Sequence, residues 1–337
     1  VEDAHGVMNG LGHRSDDGLP DGLTPRLLPR IRTREEYRAS PRDEATYVPA
    51  VREICRRHGL PVEPLRKYAS GSTIVFEVGD SLVVKLFEPV YSEGAGVEVE
   101  ALRHVHGRLG VATPAVHASG EMEDWRYVVM DRLPGAPLTN VWDSLSADER
   151  RSLCRQLGAA LKRLHALPAD GLALRGPAWD EFIAGQVGGC VERQRERGLA
   201  GAWLEQIPGF LASVHLPPIV PVMLHTEIMR EHTLVQRGDA GWTISGIFDF
   251  EPAMLGAPEY EFASVGVFFT GGDAALFRAL LLAYGYTEAN LTPELPRRIL
   301  AYALLHRYSN LAWYLKTVPP RSATTLDALA EEWFGTG

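Results

Sequence analysis

The sequence predicts an α+β protein built as two lobes, a sheet-bearing N-terminal lobe with one main helix and a larger, mostly helical C-terminal lobe. Three observations carry this expectation. The 337 residues exceed the usual size of a single hydrophobic core. Two short β-branched and apolar runs, Thr73 to Val78 and Leu82 to Phe87, join through Gly79-Asp80 as strand, turn and strand. Helical periodicity dominates the later part of the chain, and sheet first with helices afterwards is a segregated α+β order rather than alternating βαβ units.

Along the chain, residues 1–43 lack a sustained apolar period and contain the Gly, Asp and Pro cluster of Asp16 to Pro25. They are expected to form a flexible or loosely docked extension. Residues 44–132 are expected to form the first lobe. Val48, Val51, Ile54 and Cys55 recur on one helical face before Gly59, the hairpin follows, then a helix over about Val97 to Leu109 and a strand at Arg126 to Met130. The Pro- and Gly-punctuated stretch Asp131 to Pro137 links the lobes, and residues 133–337 make the second. There, Ser146 and Glu149 form a capping box ahead of Leu153, Leu157, Ala160, Leu161 and Leu164, which places a helix up to Pro168. A helical insertion at about Trp179 to Leu211, a β region from Val222 to Phe250 and further helices to Phe334 complete the reading.

Composition narrows the function classes. A net charge of −9 argues against a partner that is DNA or RNA backbone, which requires clustered Lys and Arg. It suits a cationic partner or a merely solvated acidic surface. The three cysteines, Cys55, Cys154 and Cys190, are widely spaced, which points to neither a disulfide framework nor a zinc site and fits a reducing cytoplasm. No apolar run has membrane length and no charged-then-apolar leader opens the sequence, so neither membrane insertion nor export is expected.

Two features bring chemistry together. Leu234 and Val235 open a strand, Gly238 to Gly241 supplies a turn, and Trp242 to Phe248 runs back. With the turn centred near Ala240 and Gly241, His232 and Asp249 meet at the open end as potential metal ligands, and His225 and Glu227 lie in the adjoining loop. Lys85 stands alone inside the apolar strand Leu82 to Phe87, where an unpaired buried ammonium would cost several kcal/mol. It therefore needs a partner, and Glu98 on the following helix is better placed than Glu100. Phosphoryl transfer uses such parts: a carboxylate for the hydroxyl proton, carboxylates for a metal, and a cation against phosphates.

With these residues in place, the chain resembles the aminoglycoside phosphotransferases, relatives of the protein kinases. The resemblance runs from about Glu44 to the last helices through VVKLF around Lys85, VEVEALRHV around Glu98, YVVMDRLPGAPL from Tyr127, LGAALKRLHALP from Leu157, MLHTEIMREHTLV from Met223 and GIFDFEPAMLGAPEYEFA from Gly246. It implies a two-lobed protein-kinase-like fold that transfers the γ-phosphate of ATP or GTP, with magnesium or manganese, to a hydroxyl of a small molecule. By resemblance, Lys85 binds the α- and β-phosphates, Glu98 pairs with it, the segment of Met130, Asp131 and Leu133 holds the base, and Asp249 binds the metal. Ser70, Gly71 and Ser72 fall where the family's loop covers the phosphates; a plain turn between strands explains the same residues equally well.

The family's catalytic loop reads H-G-D-x-x-x-x-N, whereas this chain has HTEIMREH. Glu227 stands where the proton-accepting Asp is expected and His232 where the metal-binding Asn is expected. Glu227 keeps the carboxylate on a side chain one methylene longer, and His232 replaces an oxygen donor with nitrogen, which magnesium favours less. His225 is placed with the catalytic group, its family counterpart bracing the loop. The two histidines are seven positions apart, which excludes a zinc-protease H-E-x-x-H helix. Asp180, Glu181, Glu251, Glu259 and Glu261 are the candidates for holding a cationic acceptor, an antibiotic by resemblance. Two alternatives stand beside this: a pseudokinase whose altered loop no longer transfers phosphate, and a metabolic kinase of a sugar or amino alcohol. The expected state is monomer or dimer, with a small-molecule acceptor and no nucleic acid or membrane partner.

Overall fold

A computed structural model describes residues 26–69, 71–174 and 176–336. Its first lobe contains the two early helices α1 (Arg34–Ala39) and α2 (Glu44–Arg57). Strands β1 (Leu65–Lys67), β2 (Ile74–Val78) and β3 (Leu82–Phe87) follow, then α3 (Glu93–Val105), β4 (Val116–Met122) and β5 (Trp125–Asp131). The five strands form one antiparallel sheet in the order β1-β2-β3-β5-β4. The hairpin of β2 and β3 pairs Val75 with Lys85 and Phe76 with Val84, as the run-turn-run pattern requires.

The two-residue period of a strand sorts side chains to opposite faces. Val84 and Leu86 of β3 join Ile74, Phe76, Val78, Trp125 and Val129 beneath α2, which buries Tyr47, Ala50, Val51, Ile54 and Cys55. Phe87, Val128 and Met130 face the other way, with Val97, Ala101, Leu102 and Val105 of α3 and the second lobe. Lys85, between Val84 and Leu86, therefore lies on the face that meets the second lobe.

Residues 26–43 are docked more firmly than the flexible or loosely docked extension expected of them; residues 1–25, the rest of that segment, lie outside the described residues. Leu28 and Ile31 are buried in the core beneath α2, and the Trp125 indole N–H donates to the Pro29 carbonyl at 2.9 Å. α1 has a capping box of its own, Thr33 with Glu36. The sequence signal was weak because two apolar anchors three residues apart are too few to establish a period.

The second lobe opens with the short strand β6 (Ala136–Pro137), α4 (Leu138–Val141) and the predicted capped helix α5 (Ala147–His165). The insertion supplies α6 (Trp179–Glu196), α7 (Gly201–Leu204) and α8 (Ile207–Ser213). The site-bearing strands are β7 (Val222–Leu224), β8 (Thr233–Gly238), β9 (Gly241–Ile247) and β10 (Met254–Gly256). Helices α9 (Pro258–Ser264), α10 (Ala274–Tyr284), α11 (Glu294–Leu305), α12 (Leu311–Thr317) and α13 (Leu326–Phe334) finish the chain. α5 packs on α10 closely enough that a Cβ at Gly158 would lie 2.3 Å from the Leu280 carbonyl oxygen. No described helix is long and apolar enough to cross a membrane.

Candidate active site

The hairpin of β8 and β9 sets the register of the site. Gly238 pairs with Gly241, so the turn centres on Asp239 and Ala240, one position before the expected Ala240 and Gly241. A bulge restores alignment: Leu234 pairs with Gly246 but Val235 with Ile244, which leaves Ser245 as the extra residue. The Phe248 N–H then donates to the His232 carbonyl at 3.2 Å, and His232 Nε2 sits 3.2 Å from Asp249 Oδ2. The two groups meet at the open end of the ribbon, as the spacing predicted.

Lys85 is 5% exposed, and its Nζ lies 2.6 Å from Asp249, 2.8 Å from Glu98 and 2.9 Å from Glu251. Burial would lower its pKa, but Asp249, Glu98 and Glu251 together hold the ammonium well above the ordinary lysine value. Asp249 is depressed well below the usual carboxylate range: burial pushes it up, and Lys85 and His232 pull it down further. Glu98 is pushed up to about 7 by burial, against the pull of Lys85. Three carboxylates facing one ammonium leave surplus negative charge, and Glu98, Asp249 and Glu251 each offer an oxygen within 4.8 Å of the others. A hard divalent cation fits that all-oxygen donor set. Glu251, expected at the acceptor, is instead a partner of Lys85. The pair Asp249 and Glu251, two apart just after β9, was the signal that could have placed it there.

The loop between β7 and β8 carries His225, Thr226, Glu227 and His232. Thr226 adopts φ +73°, a left-handed conformation that costs a β-branched residue on the order of 1–3 kcal/mol. Four bonds hold it and its neighbour. The backbone N–H groups of His225 and Thr226 donate to the two oxygens of Glu261 at 2.6 and 2.9 Å. The Thr226 hydroxyl donates to the Pro252 carbonyl, and the buried His306 Nε2 donates to the Thr226 carbonyl at 3.1 Å. Glu261 is wholly buried in this role, so it is unavailable to an acceptor, contrary to expectation. Sequence reasoning missed His306 altogether, because a lone histidine eighty residues away gives no local signal.

His225 is fully buried and braces the loop. Its Nε2–H donates to the Phe248 carbonyl at 2.9 Å, and its Nδ1 accepts from the Glu227 N–H at 3.3 Å. Burial lowers its pKa, in keeping with that neutral tautomer. His232 Nδ1–H donates to the Glu227 carbonyl at 2.8 Å, which leaves Nε2 for Asp249 or a cation. The Glu227 carboxylate has no hydrogen-bond partner among the described residues. Burial pushes it up to about 7, with His232 pulling it down and Asp249 and Glu251 pushing it up. An unpaired carboxyl that titrates near neutrality beside a cation-binding cluster can take a proton from a bound hydroxyl.

The remaining expected residues are distributed as follows. Ser70 lies outside the described residues. Gly71 and Ser72 precede β2, next to Thr73, and the N–H groups of all three have no partner among the described residues. Met130 is buried, and its strand is paired on both sides, with Val83 and with Val116. The Asp131 carboxylate is taken by His117 Nε2 at 2.6 Å and the Ala115 N–H at 3.0 Å, which withdraws that side chain from a nucleotide. The Leu133 N–H is free among the described residues, and its side chain lies against Gly246. Glu259 forms a two-pronged ion pair with Arg298, both contacts at 2.8 Å, so it too is committed elsewhere. Asp180 and Glu181 are exposed in the first turn of α6.

Comparison with known proteins bears on this geometry. Residues 61–298, well over half the chain, match the family described as phosphotransferase enzyme family. Viomycin phosphotransferase of Streptomyces vinaceus is 27% identical over 192 residues, which cover 52% of this chain and 61% of that protein, less than two thirds of its length. Among solved structures, a GDP complex of an aminoglycoside 2'-phosphotransferase superposes with a TM-score of 0.66 at 15% identity, covering 86% of this chain and 97% of that one. The macrolide 2'-phosphotransferase of Brachybacterium faecium gives 0.57 at 22% identity, covering 85% and 97%. These likenesses show the two-lobed kinase-like fold.

Proposed function

The chain belongs to the phosphotransferase enzyme family, and from that premise we propose that it transfers the γ-phosphate of ATP or GTP to a hydroxyl of a small molecule of the antibiotic class. The observation that carries the reading is the Glu227 carboxyl, unpaired, held near 7 and set beside the Lys85 cluster. The related proteins add support for the acceptor class, since their names specify viomycin, aminoglycosides and macrolides.

In this reading Lys85 steadies the nucleotide phosphates, and the N–H groups of residues 71–73, without a partner among the described residues, donate to phosphate oxygens. Glu98, Asp249 and Glu251 would hold a divalent cation, with His232 Nε2 against Asp249, and the cation when bound would neutralise charge on the phosphates. Glu227 orients the acceptor hydroxyl and receives its proton. As the hydroxyl oxygen bonds to the γ-phosphorus, the bond from that phosphorus to the bridging β-oxygen breaks, giving a phosphate ester and a nucleoside diphosphate. The longer Glu227 side chain reaches the hydroxyl from a loop fixed by Glu261 and His306.

The test incubates the protein with ATP or GTP, magnesium or manganese, and a panel of hydroxylated antibiotics, following product mass. One compound should gain about 80 Da, the mass of a PO3H unit, and Glu227→Gln should abolish the gain while nucleotide still binds. The departures at Glu227 and His232 favour a second reading, a nucleotide-binding pseudokinase; nucleotide binding with no acceptor phosphorylated across the panel would select it.

A further inference from the structure

We propose that the segment ahead of the kinase-like body is a latch on the phosphate loop, with Tyr37 and Arg42 as positioning residues that set nucleotide affinity. This rests on the phosphotransferase reading for the loop's role, but the latch itself is visible in the contacts.

The family match begins at residue 61, so α1 and the residues around it lie ahead of the matched body. α1 has six residues and buries none of them, too short to persist on helical propensity alone. It is anchored on both sides. Upstream, Leu28 and Ile31 enter the core, the Leu27 N–H donates to Glu123, and Arg26 pairs with Asp124. Downstream, α2 is packed on the sheet.

Between these anchors the chain touches one functional element. The Tyr37 hydroxyl donates to the Ser72 carbonyl, and Arg42 Nη1 donates to the same oxygen at 3.1 Å. Arg42 also lies over the Tyr37 ring, 4.6 Å from its centroid, and Tyr37 meets Tyr91 edge to face at 5.2 Å. Two donors from outside the body thus converge on one carbonyl of the connection between β1 and β2. The Ser72 carbonyl is held by these two donors, while the N–H groups of Gly71, Ser72 and Thr73 have no partner among the described residues. Consecutive free N–H groups form an anion-binding concavity only while the loop holds one shape. The latch supplies that constraint, so phosphate binding no longer carries the full entropy of ordering the loop.

The test uses the full chain with Tyr37→Phe, Arg42→Gln and the double variant, and Arg42→Lys as the conservative rescue. Dissociation constants for a fluorescent ATP or GTP analogue should rise about five- to tenfold in the double variant, with the nucleotide KM rising in step and the acceptor KM unchanged. Arg42→Lys should recover part of the loss. Amide hydrogen exchange at residues 71–73 should accelerate in the same variants without nucleotide, while exchange in the core beneath α2 stays constant. Unchanged nucleotide affinity together with unchanged exchange at 71–73 in the folded double variant would overturn the latch. If the unaltered protein binds no nucleotide but the exchange changes appear, the phosphotransferase reading fails and the mechanical latch stands.

Discussion

Glu88 follows the strand that carries Lys85 and is 1% exposed, with neither carboxyl oxygen hydrogen-bonded among the described residues. Burial pushes it up to about 7 from an ordinary 4.5, with its own backbone N–H and Arg42 pulling it down and Glu251 pushing it up. An acid whose folded pKa is raised binds more protons folded than unfolded, so its effect on stability is neutral below about 4.5 and grows unfavourable as pH rises to about 7. At about 1.4 kcal/mol for each tenfold change in proton affinity, the ionised Glu88 costs the fold about 3 kcal/mol above neutrality. Glu88→Gln removes the charge and keeps the shape. Denaturant unfolding of both proteins at about pH 5 and about pH 8 should show the variant gaining about 2–3 kcal/mol relative to the parent between the two conditions. A difference between variant and parent that is the same at both pH values would refute the claim that Glu88 is buried without a partner.

Glu261→Ala strands the buried N–H groups of His225 and Thr226. It should destabilise the protein by about 3–5 kcal/mol in denaturant unfolding, and a loss below about 1 kcal/mol would contradict the bracket. His232→Asn exchanges a nitrogen donor for an oxygen, and the affinity for magnesium relative to manganese should rise about tenfold when manganese binding is followed by electron paramagnetic resonance in competition with magnesium. For phosphate transfer, kcat/KM should rise with pH through about 7 as the Glu227 carboxyl ionises, and a profile flat from about pH 6 to about pH 8 would remove Glu227 as the proton acceptor.

Much of this arrangement was legible in the chain because it depends on local rules. A single ammonium in an apolar strand demands a counter-charge, and Lys85 has one in Glu98. A hairpin's length fixes what meets at its open end, and His232 does meet Asp249, even though the turn sits one residue early and the bulge at Ser245 makes up the difference. The capping box at Ser146 and Glu149 placed α5 for the same reason. What failed depends on distant partners. Glu259 and Glu261 look alike in sequence, two acids in one helical turn, yet Arg298 takes the first and backbone N–H groups thirty-five residues upstream take the second. The docking of residues 26–43 rests on contacts with Trp125, Glu123 and Ser72, none of which leaves a periodic trace in the segment itself.

The departures of the loop between β7 and β8 act together once they are placed in space. Thr226 occupies a conformation that glycine adopts without strain, and it stays there because Glu261, His306 and the Pro252 carbonyl hold its N–H, carbonyl and hydroxyl. That fixed turn sets the Glu227 backbone, whose N–H and carbonyl are in turn taken by His225 and His232. Among the described residues the Glu227 carboxyl is left without a hydrogen bond, so the network constrains its surroundings and not the carboxyl itself. A loop that merely filled space would relax the strain at Thr226 or pair the carboxyl with a neighbouring donor. Instead the strain persists and the carboxyl stays unpaired, the condition under which a proton-accepting group is available to a substrate hydroxyl.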